Sequence, residues 1–258
     1  MRRFSFLISV TFLGMALLGC VKERRGSCPC QLQLDFTRLD TSVVEAARVN
    51  ILGPGGFVYD DSLSSEAFAE QTLVDVPKGG CLLCVYSGER GMVAPESGLS
   101  IPYGEDCPPV YMCAAFLDTD CEQYRKVVLL RKNYCQLSIC VEDVEHFPFG
   151  LTVRGDVVGY GADGSPVKGD FYYGVQEFSD SQWTMSIPRQ KDDSLVLEVN
   201  DGTMVLKTFA LGEYIRASGY DWGAADLEDI IVSIDYTRTK MTISVLGWDE
   251  VYEFDVVI

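Results

Sequence analysis

Short segments of alternating apolar and polar residues, separated by turn residues, constrain the fold of this chain most. Leu32, Leu34 and Phe36 alternate with polar neighbours, which is the period of a half-buried β-strand. Gly-Pro-Gly at 53–55 and Ala-Asp-Gly at 162–164 each separate two such segments and indicate hairpins. Further strands are predicted at 73–76, 81–86, 110–116, 126–130, 135–141, 171–173, 183–187, 195–199, 205–209, 230–236, 241–246 and 251–258, with 126–130 pairing with 135–141. This spacing predicts an all-β fold of β-sandwiches.

The chain of 258 residues is long enough for two sandwiches in series, of about 110–120 residues each. The strand pattern breaks at 142–150, where His146-Phe147-Pro148-Phe149 stands. We therefore expect an N-terminal sandwich at 31–144 and a C-terminal sandwich at 145–258. One short helix is predicted, at 211–217, and Gly219 ends it.

The first 20 residues have the layout of a secretory signal. A basic start at Arg2 and Arg3 precedes an apolar run at 4–18, which is shorter than the roughly 20 residues of a membrane-spanning helix. Small Gly19 directly precedes Cys20, as in the lipobox of bacterial lipoproteins. We predict that residues 1–19 are a signal peptide cleaved between Gly19 and Cys20, and that Cys20 is lipidated and begins a tether at 20–30. The alternative is an ordinary cleaved signal followed by an incidental cysteine.

The charge of the chain is strongly acidic. The formal net charge is −17, and removal of the signal peptide makes it more negative because that segment holds two arginines and no acidic residue. This balance argues against nucleic acid as a partner and against electrostatic binding to anionic lipid.

Nine cysteines remain if Cys20 carries lipid, and export would make disulfides possible. An odd number leaves at least one thiol unpaired, and the sequence does not give the connectivity. The simplest interpretation of most of them is a small buried apolar residue. They are Cys28, Cys30, Cys81, Cys84, Cys107, Cys113, Cys121, Cys135 and Cys140.

The residue types that catalysis would need are not arranged for it. His146 is the single histidine, so multi-histidine metal sites are excluded and no nucleophile-elbow sequence accompanies it. Cys81 and Cys84 have redox-motif spacing, but in a strand positions three apart point to opposite faces. We expect no enzyme, no metal site and no cofactor.

Two other groups have an ordinary structural interpretation. Carboxylates between 221 and 235 lack calcium-loop spacing and indicate a solvated loop. Three tryptophans could stack on sugar, although two β cores need no ligand to explain them. The acidic residues are Asp221, Asp226, Glu228, Asp229 and Asp235, and the tryptophans are Trp183, Trp222 and Trp248.

Motifs spread over almost the whole chain resemble the FimB-type fimbrium-anchoring lipoproteins of Bacteroides and Porphyromonas. The resemblance begins with Leu17-Leu-Gly-Cys20 and Cys28-Pro29. It continues through segments at 32–36, 74–77, 104–112, 131–139, 209–215, 219–222, 226–230 and 247–248. It implies two tandem transthyretin-like β-sandwiches and a lipid anchor in the outer membrane, exposed at the cell surface. It also implies a non-enzymatic role in anchoring a fimbrium and regulating its assembly or length through contact with pilin subunits.

Two other functions stay open at this stage. A surface glycan-binding lipoprotein would present an exposed aromatic platform, and an envelope redox protein would show reactive thiols at Cys81 and Cys84. The resemblance also implies subunit joining by β-strand addition, for which the C-terminal strand is the candidate contact. Because the N-terminal segment would be held through Cys20, donation of the C-terminal strand to a pilin subunit is the expected geometry. The apolar side of this strand consists of Trp248, Tyr252, Phe254, Val256 and Ile258. The alternative is that this strand only completes its own sandwich.

Overall fold

The computed structural model describes residues 28–87, 98–142, 149–175, 182–235, 240–246 and 250–255, and most of the regular secondary structure in these ranges is β-strand. The α-helix of these ranges, α1, spans Leu211–Ala217, as predicted, and short 3₁₀ segments lie at Pro54–Gly56 and Ser65–Ala69. The strands are β1 (Cys30–Asp35), β2 (Ala46–Gly53), β3 (Phe57–Ser64), β4 (Thr72–Val76), β5 (Gly80–Ser87), β6 (Leu99–Ser100), β7 (Tyr111–Asp118), β8 (Gln123–Val127), β9 (Arg131–Lys132), β10 (Tyr134–Val141), β11 (Gly150–Tyr160), β12 (Pro166–Val175), β13 (Gln182–Pro188), β14 (Val196–Asn200), β15 (Val205–Phe209), β16 (Ile230–Asp235), β17 (Lys240–Val245) and β18 (Val251–Asp255).

The first pair of sheets has the orders β4-β1-β8 and β3-β2-β5-β7-β9. The alternation in β1 has the predicted effect, since Leu32 and Leu34 are fully buried while Gln31 and Gln33 are half-buried. The predicted hairpin joins β2 to β3, with Gly53 opposite Phe57 and Gly55 at a positive φ of 69°. The core of this first sandwich includes Leu32, Leu34, Phe36, Val49, Ile51, Leu83 and Val85.

The second pair of sheets has the orders β13-β10-β16-β17-β18 and β12-β11-β14-β15, with β6 paired to β11. The predicted turn at 162–164 joins β11 to β12, with Gly164 at a φ of 76°. Helix α1 packs Leu211 and Ile215 into the core between these sheets. That core also contains Leu137, Ile139, Leu151, Val153, Ile230 and Val232. The all-β sandwich fold is therefore confirmed.

The partners of β10 differ from those that the sequence predicts. It was expected to pair with residues 126–130, but β8 pairs with β1, while β10 pairs antiparallel with β13 and parallel with β16. The predicted pairing is wrong, and so is the placement of β10 with the first sandwich. The parallel partner begins at Ile230, and the alternation within a strand does not reveal a neighbour so far along the chain.

The segment that precedes β7 is a second exception to the expected division at residue 145. Leu99 pairs with Tyr160, the Ile101 N–H donates to the Val158 carbonyl at 2.7 Å, and the Cys107 N–H donates to the Ser186 carbonyl at 2.9 Å. This segment therefore lies on the second sandwich although it precedes residue 145.

Candidate functional site

The Cys81–Cys84 spacing does not form a redox site. Both residues lie on β5, and they enter different cores: Cys81 joins the first and Cys84 the second. Cys81 Sγ lies 3.7 Å from the Pro77 carbonyl and 3.6 Å from Thr119 Oγ1. Burial raises the pKa of Cys84 to about 12, the opposite of the shift that activates a thiol. The predicted opposite orientation is confirmed.

The acidic residues between 221 and 235 serve local structure. Asp226 accepts from the Arg131 guanidinium at 2.9 Å and from the Lys132 N–H at 2.8 Å. Asp229 accepts from Lys132 Nζ at 2.5 Å and from the Gln136 N–H at 2.7 Å. These bonds fasten the loop before β16 to β9 and β10. Within the described ranges, no three potential metal ligands lie together.

The described tryptophans pack against the second core. Trp183 stacks on Tyr173 with ring centroids 5.8 Å apart, and Trp222 meets Tyr220 edge to face at 4.8 Å. Both are partly buried against the core, so neither presents a free face as a platform. Trp248 and His146 lie outside the described residues.

An exposed aromatic pair occurs elsewhere, at a position that the sequence did not single out. Tyr103, which is 73% exposed, stacks on Tyr172 of β12 with centroids 4.8 Å apart. Pro102 and Gly104, on either side of Tyr103, line a cleft of about 1080 Å³ between the sandwiches. Glu45 and Ala46 line it from the first sandwich, Tyr173 and Ser186 from the second, and Glu105 and Asp106 from the segment before β7.

The predicted contact strand is an edge strand of the second sandwich. Of the strands that the structure describes, β18 pairs only with β17, with Phe254 opposite Met241. Phe254 packs on Tyr214 of α1 at 4.8 Å, and Tyr252, also on the inner side, is half-buried. Val251 is 67% exposed on the outer side. Trp248, Val256, Ile258, Gly19 and Cys20 lie outside the described residues.

On the outer side of β18, the ammonium group of Lys240 forms two ion pairs. Lys240 Nζ lies 2.7 Å from Glu253 Oε1 and 2.8 Å from Asp255 Oδ1. The opposite edge of β18 carries no neighbouring strand among those described.

A second apolar edge was missed by the sequence interpretation. Met204, Val205 and Leu206, at and before the start of edge strand β15, are 63%, 49% and 46% exposed. Three consecutive apolar residues interrupt the alternation, and that interruption was the available signal.

Comparison with known proteins establishes the fold. The sequence matches no protein-family model and no curated protein. Similar solved structures include the fimbrial anchor protein Mfa2 from Porphyromonas gingivalis (TM-score 0.58, 14% identity), over 86% of this chain and 98% of that one. A protein from Bacteroides thetaiotaomicron described as polysaccharide-binding gives 0.59 at 13% identity, over 87% and 98%. A protein from Bacteroides ovatus described as an adhesin gives 0.58 at 11% identity, over 88% and 95%. At these identities the likeness shows the fold alone.

Proposed function

We propose that this protein is a non-enzymatic outer-membrane lipoprotein that anchors a fimbrium and regulates its assembly or length. The observation that carries the proposal is the structural likeness to the fimbrial anchor protein Mfa2, which extends over 86% of this chain and 98% of that one. The sequence motifs that resemble the FimB-type anchors and the lipobox at Gly19-Cys20 support it independently. No helix in the described ranges is long and apolar enough to cross a membrane.

The proposed attachment is lipid on Cys20. Each buried methylene contributes about 0.8 kcal/mol, and two acyl chains are enough for stable anchoring. The strongly negative charge of the chain gives no electrostatic attraction to anionic head groups, so the acyl chains would supply the binding.

The proposed contact with a fimbrial subunit is the free edge of β18. A strand added there would pair with backbone N–H and C=O groups that have no partner among the described strands. Release of β18 for donation to another subunit is the less favourable geometry, because it would expose Tyr252 and Phe254. The free edge therefore fits acceptance of a partner strand.

A charge at this edge tests the contact. Val251→Lys places an ammonium beside the edge on an already exposed side chain, so the variant should fold normally and bind fimbrial subunits more weakly. Leu73→Lys is the matched control, because Leu73 is 56% exposed on β4, an edge strand of the first sandwich. Co-purification of fimbrial subunits from membranes measures the effect. Equal capture by Val251→Lys, Leu73→Lys and wild type would reject the β18 contact.

A second function, glycan binding, is favoured by one observation: the exposed Tyr103–Tyr172 stack beside the cleft between the sandwiches. Aromatic faces of this kind stack on sugar rings. Tyr103→Ala should abolish binding on a glycan array if this function operates, and the absence of any bound glycan for wild type would dismiss it.

A further inference from the structure

Two thiols that are distant in sequence face each other in the first sandwich. Cys30 begins β1 and Cys121 lies in the turn before β8, 91 positions later, yet their Sγ atoms are 3.7 Å apart. The backbone around them is fixed by strand pairing, since the Gln31 N–H donates to the Glu122 carbonyl at 2.9 Å and β1 runs parallel to β8. The approach of the two sulfurs therefore follows from the fold of this sheet.

The two thiols differ in accessibility. Cys30 is fully buried, and burial together with its contact to Cys121 raises its pKa to about 11. Cys121 is half-exposed, and its thiol donates to the Gln123 carbonyl at 3.2 Å. An external reagent would therefore meet Cys121 first.

We infer that Cys30 and Cys121 form a disulfide when the protein reaches an oxidising compartment. The inference rests on the proposed function, because only an exported anchor meets such conditions. The oxidant is the disulfide of a thiol–disulfide oxidoreductase. The Cys121 thiolate attacks it and releases one of its thiolates. The Cys30 thiolate then attacks the Cys121 sulfur of the mixed disulfide and releases the second. The two cysteines lose two electrons and two protons, and the oxidoreductase gains them.

The disulfide would strengthen the protein at β1, the strand that would first receive tension from the lipid anchor. Tension from a lipid on Cys20 would reach the folded domain at β1, whose only sheet partners among the described strands are β4 and β8. A Cys30–Cys121 bond carries that tension directly to the turn before β8, so β1 cannot be pulled from its sheet by loss of hydrogen bonds alone. It also closes a long loop, which stabilises the fold against unfolding.

The first test counts thiols in the full-length protein purified from cell envelopes that were quenched in acid. After denaturation without reductant, wild type should alkylate at two fewer cysteines than the same sample after reduction. Cys121→Ser should lose this difference, whereas Cys28→Ser and Cys113→Ser should keep it. Full alkylation of unreduced wild type would overturn the inference, and so would loss of the difference in Cys28→Ser, which would assign the bond to Cys28.

The second test separates this inference from the proposed function, because it needs neither export nor a fimbrial partner. Purified reduced full-length protein is equilibrated with oxidised and reduced glutathione. The urea concentration at the midpoint of unfolding is then measured with and without dithiothreitol. Dithiothreitol should lower the midpoint of wild type and of Cys113→Ser and leave that of Cys121→Ser unchanged. An equal midpoint for wild type under both conditions would overturn the inference, even if fimbrial capture is intact. Loss of capture with the thiol result unchanged would instead reject the proposed function.

Discussion

At the scale of single residues, Asp35 places a buried carboxylate at the end of β1. Its side chain accepts from the Thr37 hydroxyl at 2.7 Å and from the Arg125 guanidinium at 2.6 Å, and its carbonyl accepts from the Val128 N–H at 2.9 Å. The Thr37 hydroxyl and then Arg125 are the main causes that lower the pKa of Asp35 to about 2. The ionised form is therefore the one that the fold stabilises.

This shift predicts a specific loss of stability in acid. The folded pKa lies below the value of about 3.8 that the unfolded chain has, so the stabilisation is complete above pH 4 and is lost as the pH falls towards 2. Asp35→Asn should lower the free energy of unfolding at pH 7 and flatten its decline between pH 4 and pH 2. Urea titrations across this range measure both effects. A variant whose pH profile runs parallel to that of wild type would contradict the assignment.

Residue-level prediction succeeded where it depended on alternation and failed where it depended on distant contacts. The opposite faces of Cys81 and Cys84 followed from strand period alone. The Cys30–Cys121 approach did not, because it requires the parallel pairing of β1 with β8. The exposed Tyr103–Tyr172 stack was missed for the same reason, since its two rings come from separate segments.

At the scale of elements, the strand periods and turn residues predicted most of the described strands, both glycine-containing hairpins and helix α1. What they could not give was the order of strands in the sheets. Strand β10 is the clearest case, because it lies between β13 and β16 and both of these follow it by more than 40 positions. Apolar alternation says that a strand is half-buried, but not which sheet buries it.

The position of β10 predicts how the chain responds to a single cut. The expected break at 142–149 lies just after β10, so a protease site introduced there would leave β10 on one fragment and its partners on the other. The nicked protein should therefore remain one particle in size-exclusion chromatography and give two bands only after denaturation. Two fragments that separate without denaturant would contradict the strand order, and an uncut sample is the control.

At the scale of the whole molecule, the proposed anchor would place two sandwiches between a lipid and a polymer. The first sandwich begins within ten residues of Cys20, and the candidate contact edge, β18, belongs to the second. Strand β9 joins the two sandwiches, because it pairs with β7 of the first, while its Lys132 carbonyl accepts from the Leu227 N–H at 3.1 Å and its Arg131 pairs with Asp226, both next to β16 of the second. This arrangement suits an anchor better than a chain of independent domains would.

The central claim is tested most directly by where fimbriae are found when the lipid site is removed. In cells that make Cys20→Ala in place of wild type, the protein should leave the membrane fraction, incorporate no labelled fatty acid and no longer hold fimbriae. Cys28→Ser, a nearby cysteine variant that keeps the lipid site, is the control. We predict that fimbriae are shed into the medium by the Cys20→Ala strain and retained by the control. Fimbriae that stay on the cells while the Cys20→Ala protein is released from the membrane would contradict the account.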